Sequence, residues 1–343
     1  MDRVDVNILN TNEMHCLPRC IDAVLAQTHR DLRVTVIDNA STDGSPEWVG
    51  RNRPSVRLIR NDANLYYCEG HNVGIRASDA EFILLLNSDV FIMPDFLEKA
   101  LAELLTGKTL GGVQGKLWKI QSATAPIPSP GDRWIDTTGI YMTRSRRNFD
   151  RYQEAFDDGR FDAPGEVFGP DGSAPLYRRE MLDDIKIGKE YFDPDFKIYR
   201  EVVDLSWRAR SRGWSFRYVP AATGFHVRGF SPRTRKKMPL FFRKLSFQNR
   251  FLTLLKNDTV PCMLKDAIRI TGFDLAMMGH MILREPDLFG AWIDIARLLP
   301  SALRKRAHIQ TNRKIPNHFI TALFHPSAPN LHADSKAPEK PAW

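Results

Sequence analysis

The sequence predicts an α/β fold: an open, mostly parallel sheet flanked by helices, followed by a basic, helical C-terminal extension. Three observations support this. Strand-like and helix-like segments alternate through the first third of the chain. Ile83 to Leu86 form an unbroken apolar run, as a strand covered on both faces requires. Each strand-like run also ends in small or polar residues, which marks one rim of the sheet.

Taken in order, "VDVNILN" reads as the first strand, and Leu17, Ile21, Val24 and Leu25 recur at helical spacing. "LRVTVID" is a second strand, closed by the turn-rich "NASTDGSPEW". "VRLIRN" is a third strand, "EGHNVGIRAS" a short helix, and "EFILLLNSDVFIMP" the strand that delivers Asn87-Ser88-Asp89. Strands joined by helices imply right-handed crossovers, and no internal repeat is visible.

With 343 residues the chain is long enough for about two domains, or for one large α/β domain with an extension. The boundaries expected are 1–231 for the α/β domain, 232–326 for the helical extension and 327–343 for a disordered tail. A hydrophobic fraction of 43% is ordinary for a globular chain. The net charge of +8 is not, and it favours an anionic partner such as nucleotide phosphates or an acidic membrane surface. Cys16, Cys20, Cys68 and Cys262 lack paired metal-ligand spacing, and no apolar leader precedes the first strand. A reducing cytoplasm is therefore expected.

In open α/β sheets ligands bind at the carboxyl ends of the strands. That rim carries Asn10-Thr11-Asn12, Asp38-Asn39-Ala40-Ser41, Asn61 to Asn64, and Asn87-Ser88-Asp89. Amides and carboxylates read base and ribose, while free backbone N–H groups receive phosphate. Asp89 is either a turn residue bonding its own backbone or an acid aimed at a cation. There is no G-x-x-x-x-G-K-[ST], and no G-x-G-x-x-G follows the first strand, which argues against P-loop and dinucleotide sites.

Six collinear blocks carry a resemblance: "VIDNASTDGS", "NLYYCEGHNVGIRAS", "LLLNSDV", "GPDGSAPLYRREML", "EYFDPDFKIYREVVDLSWRARSRGWSFRYVP" and "GFHVRGFS". In order and spacing the sequence resembles family 2 glycosyltransferases over about residues 3–231, most of all the rhamnosyltransferase-like branch that builds bacterial cell-surface polysaccharides. The resemblance implies a GT-A fold, a nucleotide-sugar donor, a divalent cation (Mg²⁺ or Mn²⁺) and inversion at the anomeric carbon. By the same likeness Asp89 presents its carboxylate to the metal, and His226 matches a late His that can complete the metal site. Thr11, Asp38 and Asn39 fall at base and ribose positions. Asn72, Gly74 and Ser88 lie in blocks beside the donor. Asn87 stands where many relatives carry a second acid, so the donor diphosphate must supply much of the coordination.

The acceptor side departs from the family pattern. Relatives commonly read Glu-Asp-Val-Asp-Leu at a helix start, the first Asp being the general base; here the run is Glu201-Val202-Val203-Asp204-Leu205. A valine cannot accept a proton. Glu201 and Asp204 share one helical face, at ~100° per residue, and are the remaining candidates. Glu201 has the longer reach, whereas Asp204 could instead pair with Arg208 at i+4. The loss of the family's acid also leaves open a catalytically silent, sugar-nucleotide-binding partner of a polysaccharide assembly complex.

From Arg228 to Arg250 there are eight Lys or Arg and no acid, interleaved with Phe230, Phe241, Phe242 and Phe247. That pattern favours peripheral attachment to an anionic membrane face rather than nucleic acid. Leu264 to Leu283 and Leu288 to Leu299 read as helices too charged or too short to span a bilayer, with a stripe suited to core packing or an oligomer contact. The expected enzyme thus moves a sugar, rhamnose from a dTDP donor in this branch, to a lipid-linked or growing glycan acceptor.

Overall fold

The computed structural model describes residues 2–229 and 238–326. Phe230, Arg233, Arg235, Lys236 and Lys237 of the basic run, and the tail expected at 327–343, lie outside the described residues.

Up to β4 the alternation is as expected, except that a helix, α2, forms within the stretch read as a turn: β1 (Val4–Asn10), α1 (Leu17–Leu25), β2 (Leu32–Asp38), α2 (Ser45–Asn52), β3 (Arg57–Arg60), α3 (Tyr66–Arg76) and β4 (Phe82–Asn87). Next come β5 (Val90–Ile92), α4 (Phe96–Leu104), β6 (Leu110–Lys119), β7 (Ile135–Thr137), β8 (Ile140–Met142), β9 (Asn148–Asp150) and β10 (Gly165–Glu166). The remainder is β11 (Leu176–Arg178), α5 (Arg179–Ile185), α6 (Glu201–Arg212), β12 (Ser215–His226), α7 (Leu240–Asn257), α8 (Val260–Lys265), α9 (Ala267–Arg284), α10 (Gly290–Thr311) and α11 (Asn317–Thr321).

Ten strands form one sheet, with β10-β12-β6-β11-β4-β1-β2-β3 in a row, β5 on β12 and β7 on β6. The long ladders are parallel: β1 with β2 and β4, β2 with β3, and β6 with β12. The short ones, including β11 between β4 and β6, are antiparallel. Alternate residues of β4 feed two cores. Phe82, Leu84 and Leu86 pack with α1 and α4, while Ile83 and Leu85 pack with Tyr177, Phe192 and Trp207.

The Gly-rich strand β6 was not legible as a strand in the sequence, because "LGGVQG" reads as a loop. Tertiary packing explains the glycines. A Cβ on Gly115 would lie 2.5 Å from the Ala222 carbonyl oxygen, and one on Gly112 3.0 Å from that of Leu176. Helix α10 also runs past the expected end at Leu299, straight through Pro300, since Ala302 and Ile309 beyond it are buried.

The C-terminal helices are fastened to the sheet domain by buried ion pairs. Arg146, with no exposed surface, meets Asp258 at 2.8 Å and Asp266 at 2.6 Å. Lys256 of α7 meets Asp204 of α6 at 2.9 Å and also Asp193. The basic run is therefore not one solvated face: Arg250 is buried against Asp274, and Arg243 pairs with Glu285 at 2.7 Å. Among the described residues no helix is long and apolar enough to cross a membrane.

Candidate active site

Strand register assembles the rim. Asn10 lies opposite Asp38, and Leu9 opposite Asn87, so the loops after β1, β2 and β4 emerge together. Asn10 donates to Asp38 (2.8 Å) and Ser45 (2.8 Å), and the second Asp38 oxygen accepts the Ser41 N–H at 3.0 Å. Asn39 donates to the Tyr66 carbonyl at 3.1 Å and accepts from Asn61 at 2.9 Å. Thr11 is half-exposed on this rim, whereas Asp38, Asn39 and Ser88 lie almost wholly beneath it.

Asn72 and Gly74 occupy packing positions. The Asn72 carbonyl oxygen accepts the Phe192 N–H at 2.8 Å, its amide donates to the Phe192 carbonyl at 2.9 Å, and the residue has no exposed surface. A Cβ on Gly74 would sit 2.9 Å from the Asn7 amide and the Ile37 side chain, so this glycine lets α3 approach β1 and β2.

The turn between β4 and β5 carries Asp89, and β12, antiparallel to β5, ends at His226 opposite Val90, one residue on from Asp89. His226 Nε2 lies 3.3 Å from Asp89 Oδ2, while its Nδ1 lies 2.8 Å from Asp136 Oδ2. Behind them Arg228 grips Asp136 at 2.7 Å and reaches Asp150 and, at 3.6 Å, Asp171. Burial works against the charge on His226, but Asp89 and Asp136 outweigh it and push its pKa up to about 10. Burial likewise would raise Asp89, yet His226 holds it below the usual carboxylate range. Asp150 is pushed up to about 7, by burial first and then by Asp171 and Asp136 against the pull of Arg228.

These residues fit a divalent cation. Two neighbouring ligands on one ion, each ~2.1 Å from it, stand about 3 Å apart, close to the spacing of Asp89 Oδ2 and His226 Nε2. A carboxylate on the far ring nitrogen, here Asp136, orients a ligating imidazole. A cation would take the place of the imidazolium proton. Sequence reasoning missed Asp136, because it lies 90 residues from His226 in no motif. It also missed Glu13. The loop between β1 and α1 gathers Glu13, His15 and Cys16, the one such trio among the described residues. Burial and then the Asp89 charge raise the Glu13 pKa, so this carboxylate senses the one at the rim electrostatically. Cys16, pushed up to about 12 by burial and then Glu13, is a neutral thiol and a poor ligand.

The acceptor side is set by the start of α6. Lys197, Tyr199 and Arg200 all hold positive-φ backbone conformations (φ 59°, 71° and 66°) just before Glu201. Such strain persists only where its surroundings enforce it. Glu201 is buried and its Oε2 has no partner among the described residues. Burial, with smaller contributions from Asp171 and Asp204, pushes its pKa up to about 8. Asp204 follows the i+4 alternative: its oxygens accept from Arg208 (3.0 Å), Asn257 (2.7 Å) and Lys256. Val202 lies beside Gly172 and the Tyr67 hydroxyl, closing a wall there: a Cβ on Gly172 would sit 3.3 Å from the valine and 3.1 Å from that hydroxyl. Asp171, unnoticed within its sequence block, acts electrostatically on Glu201 and lies 3.6 Å from Arg228, so it links the cation side to the acceptor side.

Residues 5–186 match the family description Glycosyl transferase family 2. An N-acetylglucosaminyl-diphospho-decaprenol L-rhamnosyltransferase of Mycobacterium tuberculosis is 27% identical over 233 residues, 63% of this chain and 73% of that protein. Chondroitin synthase of Pasteurella multocida is 32% identical over 113 residues, 32% of this chain and 12% of the synthase. Among solved structures, the mannosyltransferase PcManGT of Pyrobaculum calidifontis, in complex with GDP-Man and Mn²⁺, aligns with a TM-score of 0.53 at 16% identity, over 94% of this chain and 84% of that one. GalNAc-T7 with UDP, GalNAc and Mn²⁺ aligns at 0.57 and 16% identity, over 74% of this chain but only 48% of that one. The shared feature is the GT-A fold.

Proposed function

The chain belongs to glycosyl transferase family 2, and on that premise we propose that it transfers a sugar from a nucleotide-sugar donor with inversion, assisted by a divalent cation. The Asp89–His226 pair, backed by Asp136, is the observation that carries the reading. Asp89 and His226 would hold the cation, with Glu13 near enough to add charge; the cation would neutralise the departing nucleoside diphosphate. Thr11, Asp38, Asn39 and Ser88 shape the base and ribose side of the donor site. In the transfer, the acceptor hydroxyl oxygen bonds to the anomeric carbon, the bond to the nucleoside diphosphate breaks, and Glu201 takes the hydroxyl proton. A base whose pKa is about 8 is well matched to that task near neutral pH. Asp204 positions α6 and touches no reacting atom.

The finer reading is rhamnose from a dTDP donor, delivered to a lipid-linked or growing glycan acceptor at the inner face of the cell membrane. It is supported by the likeness to the mycobacterial N-acetylglucosaminyl-diphospho-decaprenol L-rhamnosyltransferase. A second reading, a silent sugar-nucleotide-binding partner of an assembly complex, is favoured by Val202 standing where the family carries its base. Donor hydrolysis and transfer across dTDP-, UDP- and GDP-sugars, with Mn²⁺ and with EDTA, separate the two. Metal-dependent turnover supports the enzyme; tight donor binding without hydrolysis or transfer on an acceptor panel supports the silent partner.

A further inference from the structure

Outside the rim, a cavity of about 440 Å³ lies between the β8–β9 hairpin, α7 and α9, a size typical of small-molecule sites. One wall is apolar, formed by Phe247, Phe273, Met277 and Met281. The other is cationic, formed by Arg147 and Arg200, and none of the lining side chains is a carboxylate.

Arg147 is the unusual member. Its half-buried guanidinium stacks on Phe149 (4.4 Å) and Phe273 (4.8 Å) and has neither a carboxylate nor a hydrogen-bond acceptor among the described residues. Its neighbours differ: Arg146 is matched by Asp258 and Asp266, and Arg250 by Asp274. A desolvated guanidinium with idle donors favours an anion able to accept them. Arg200, whose Nε donates to the Ser246 carbonyl at 3.2 Å, immediately precedes Glu201 and so ties the cavity to the start of α6.

The cavity also borders an exposed apolar face. Ala276 and His280 line it and are themselves exposed, and beside them Ile268, Leu275 and Ile282 recur every seven residues along the outer side of α9. Their exposures are 91%, 67% and 57%. Lys265, Arg269 and Arg284 are exposed on the same helices. An apolar stripe flanked by cations suits the boundary of an anionic bilayer.

We propose that this cavity binds the phosphate end of an isoprenoid or acyl lipid phosphate, with the two arginines on the phosphate and the tail running along the apolar wall onto α9. This rests on the transferase reading, for which it supplies the seat of a lipid-linked acceptor beside Glu201. A free phosphate would leave the apolar wall unused, and a neutral lipid would leave Arg147 unmatched.

The test uses the full chain in EDTA, with farnesyl diphosphate as probe and farnesol and inorganic diphosphate as controls, measured by calorimetry. Farnesyl diphosphate should bind at least tenfold more tightly than either control. Arg147→Met and Ala276→Trp, which respectively remove the charge and fill the cavity, should each weaken it at least tenfold. Neither should alter Mn²⁺-dependent binding of a nucleoside diphosphate, which reports an intact fold. Inorganic diphosphate binding as tightly as the farnesyl compound would overturn the proposal, as would wild-type affinity in Ala276→Trp. So would a dimer broken by Ala276→Trp in a chain that binds no lipid, since a second copy would then occupy the face. Sugar transfer to soluble acceptors without lipid binding sinks this inference and spares the transferase. Lipid binding at the cavity without any transfer upholds the cavity and sinks the transferase.

Discussion

Glu201→Gln separates catalysis from stability because burial acts on both. In the wild type the carboxyl has a pKa of about 8 against an ordinary 4.5. About a tenth of it is ionised at pH 7 and about nine tenths at pH 9, so transfer should rise roughly tenfold across that interval and then level. The amide cannot take the proton, and the rate should drop by ~10²–10⁴ with donor affinity unchanged. Stability should move the other way. Between pH 4.5 and 8 the folded chain keeps a proton that the unfolded chain has lost, so wild-type stability falls as pH rises through that window. The full gap corresponds to a few kcal/mol, on the order of 3–5, and the glutamine variant is free of it. Transfer assays from pH 6 to 9.5 and urea denaturation at pH 5 and pH 9 measure both effects. A glutamine variant that transfers at the wild-type rate would refute the role, and one less stable than wild type at pH 9 would refute the buried, neutral carboxyl.

Four other outcomes follow from the site. Asp89→Ala should abolish the Mn²⁺ dependence of nucleoside diphosphate binding with the fold intact, and unchanged dependence in calorimetry would sink the assignment. Asp136→Asn should weaken metal affinity ~10–100-fold by loosening His226, and should destabilise the fold by about 3–5 kcal/mol by leaving Arg228 short of a buried partner; denaturation curves and metal titration read the two effects separately. Asp204→Asn, which takes a carboxylate from Lys256 and Arg208, should cost a similar few kcal/mol while donor affinity holds. A large loss of donor affinity there, with stability unchanged, would place Asp204 in the site instead. Val202→Asp should raise transfer and make it less dependent on Glu201; if it alone shows transfer, the natural chain is the silent partner.

Strand and helix order up to β4 was legible in the sequence, α2 excepted, because periodicity is local. The unbroken apolar run of β4 requires cover on both faces, and the polar residues after β1, β2 and β4 fall on one rim once the strands are parallel. Strand β6 was not legible. Its glycines carry no pattern of their own and are explained only by the Ala222 and Leu176 carbonyls that crowd them.

The same division holds for the candidate site. The sequence by itself determined which chemical groups stand at strand ends, Asp89 and His226 among them, and that Val202 leaves Glu201 and Asp204 as the nearby carboxylates. Only tertiary structure decided what each one faces. Folding set Asp136 behind His226 across 90 residues and exposed Glu13 to the charge of Asp89. It committed Asp204 to Lys256 and Arg208, and it left Glu201 buried with one oxygen unpaired. The physical reason is that pairing and desolvation depend on neighbours brought together by packing, and two carboxylates three residues apart on one helix differ in those neighbours alone.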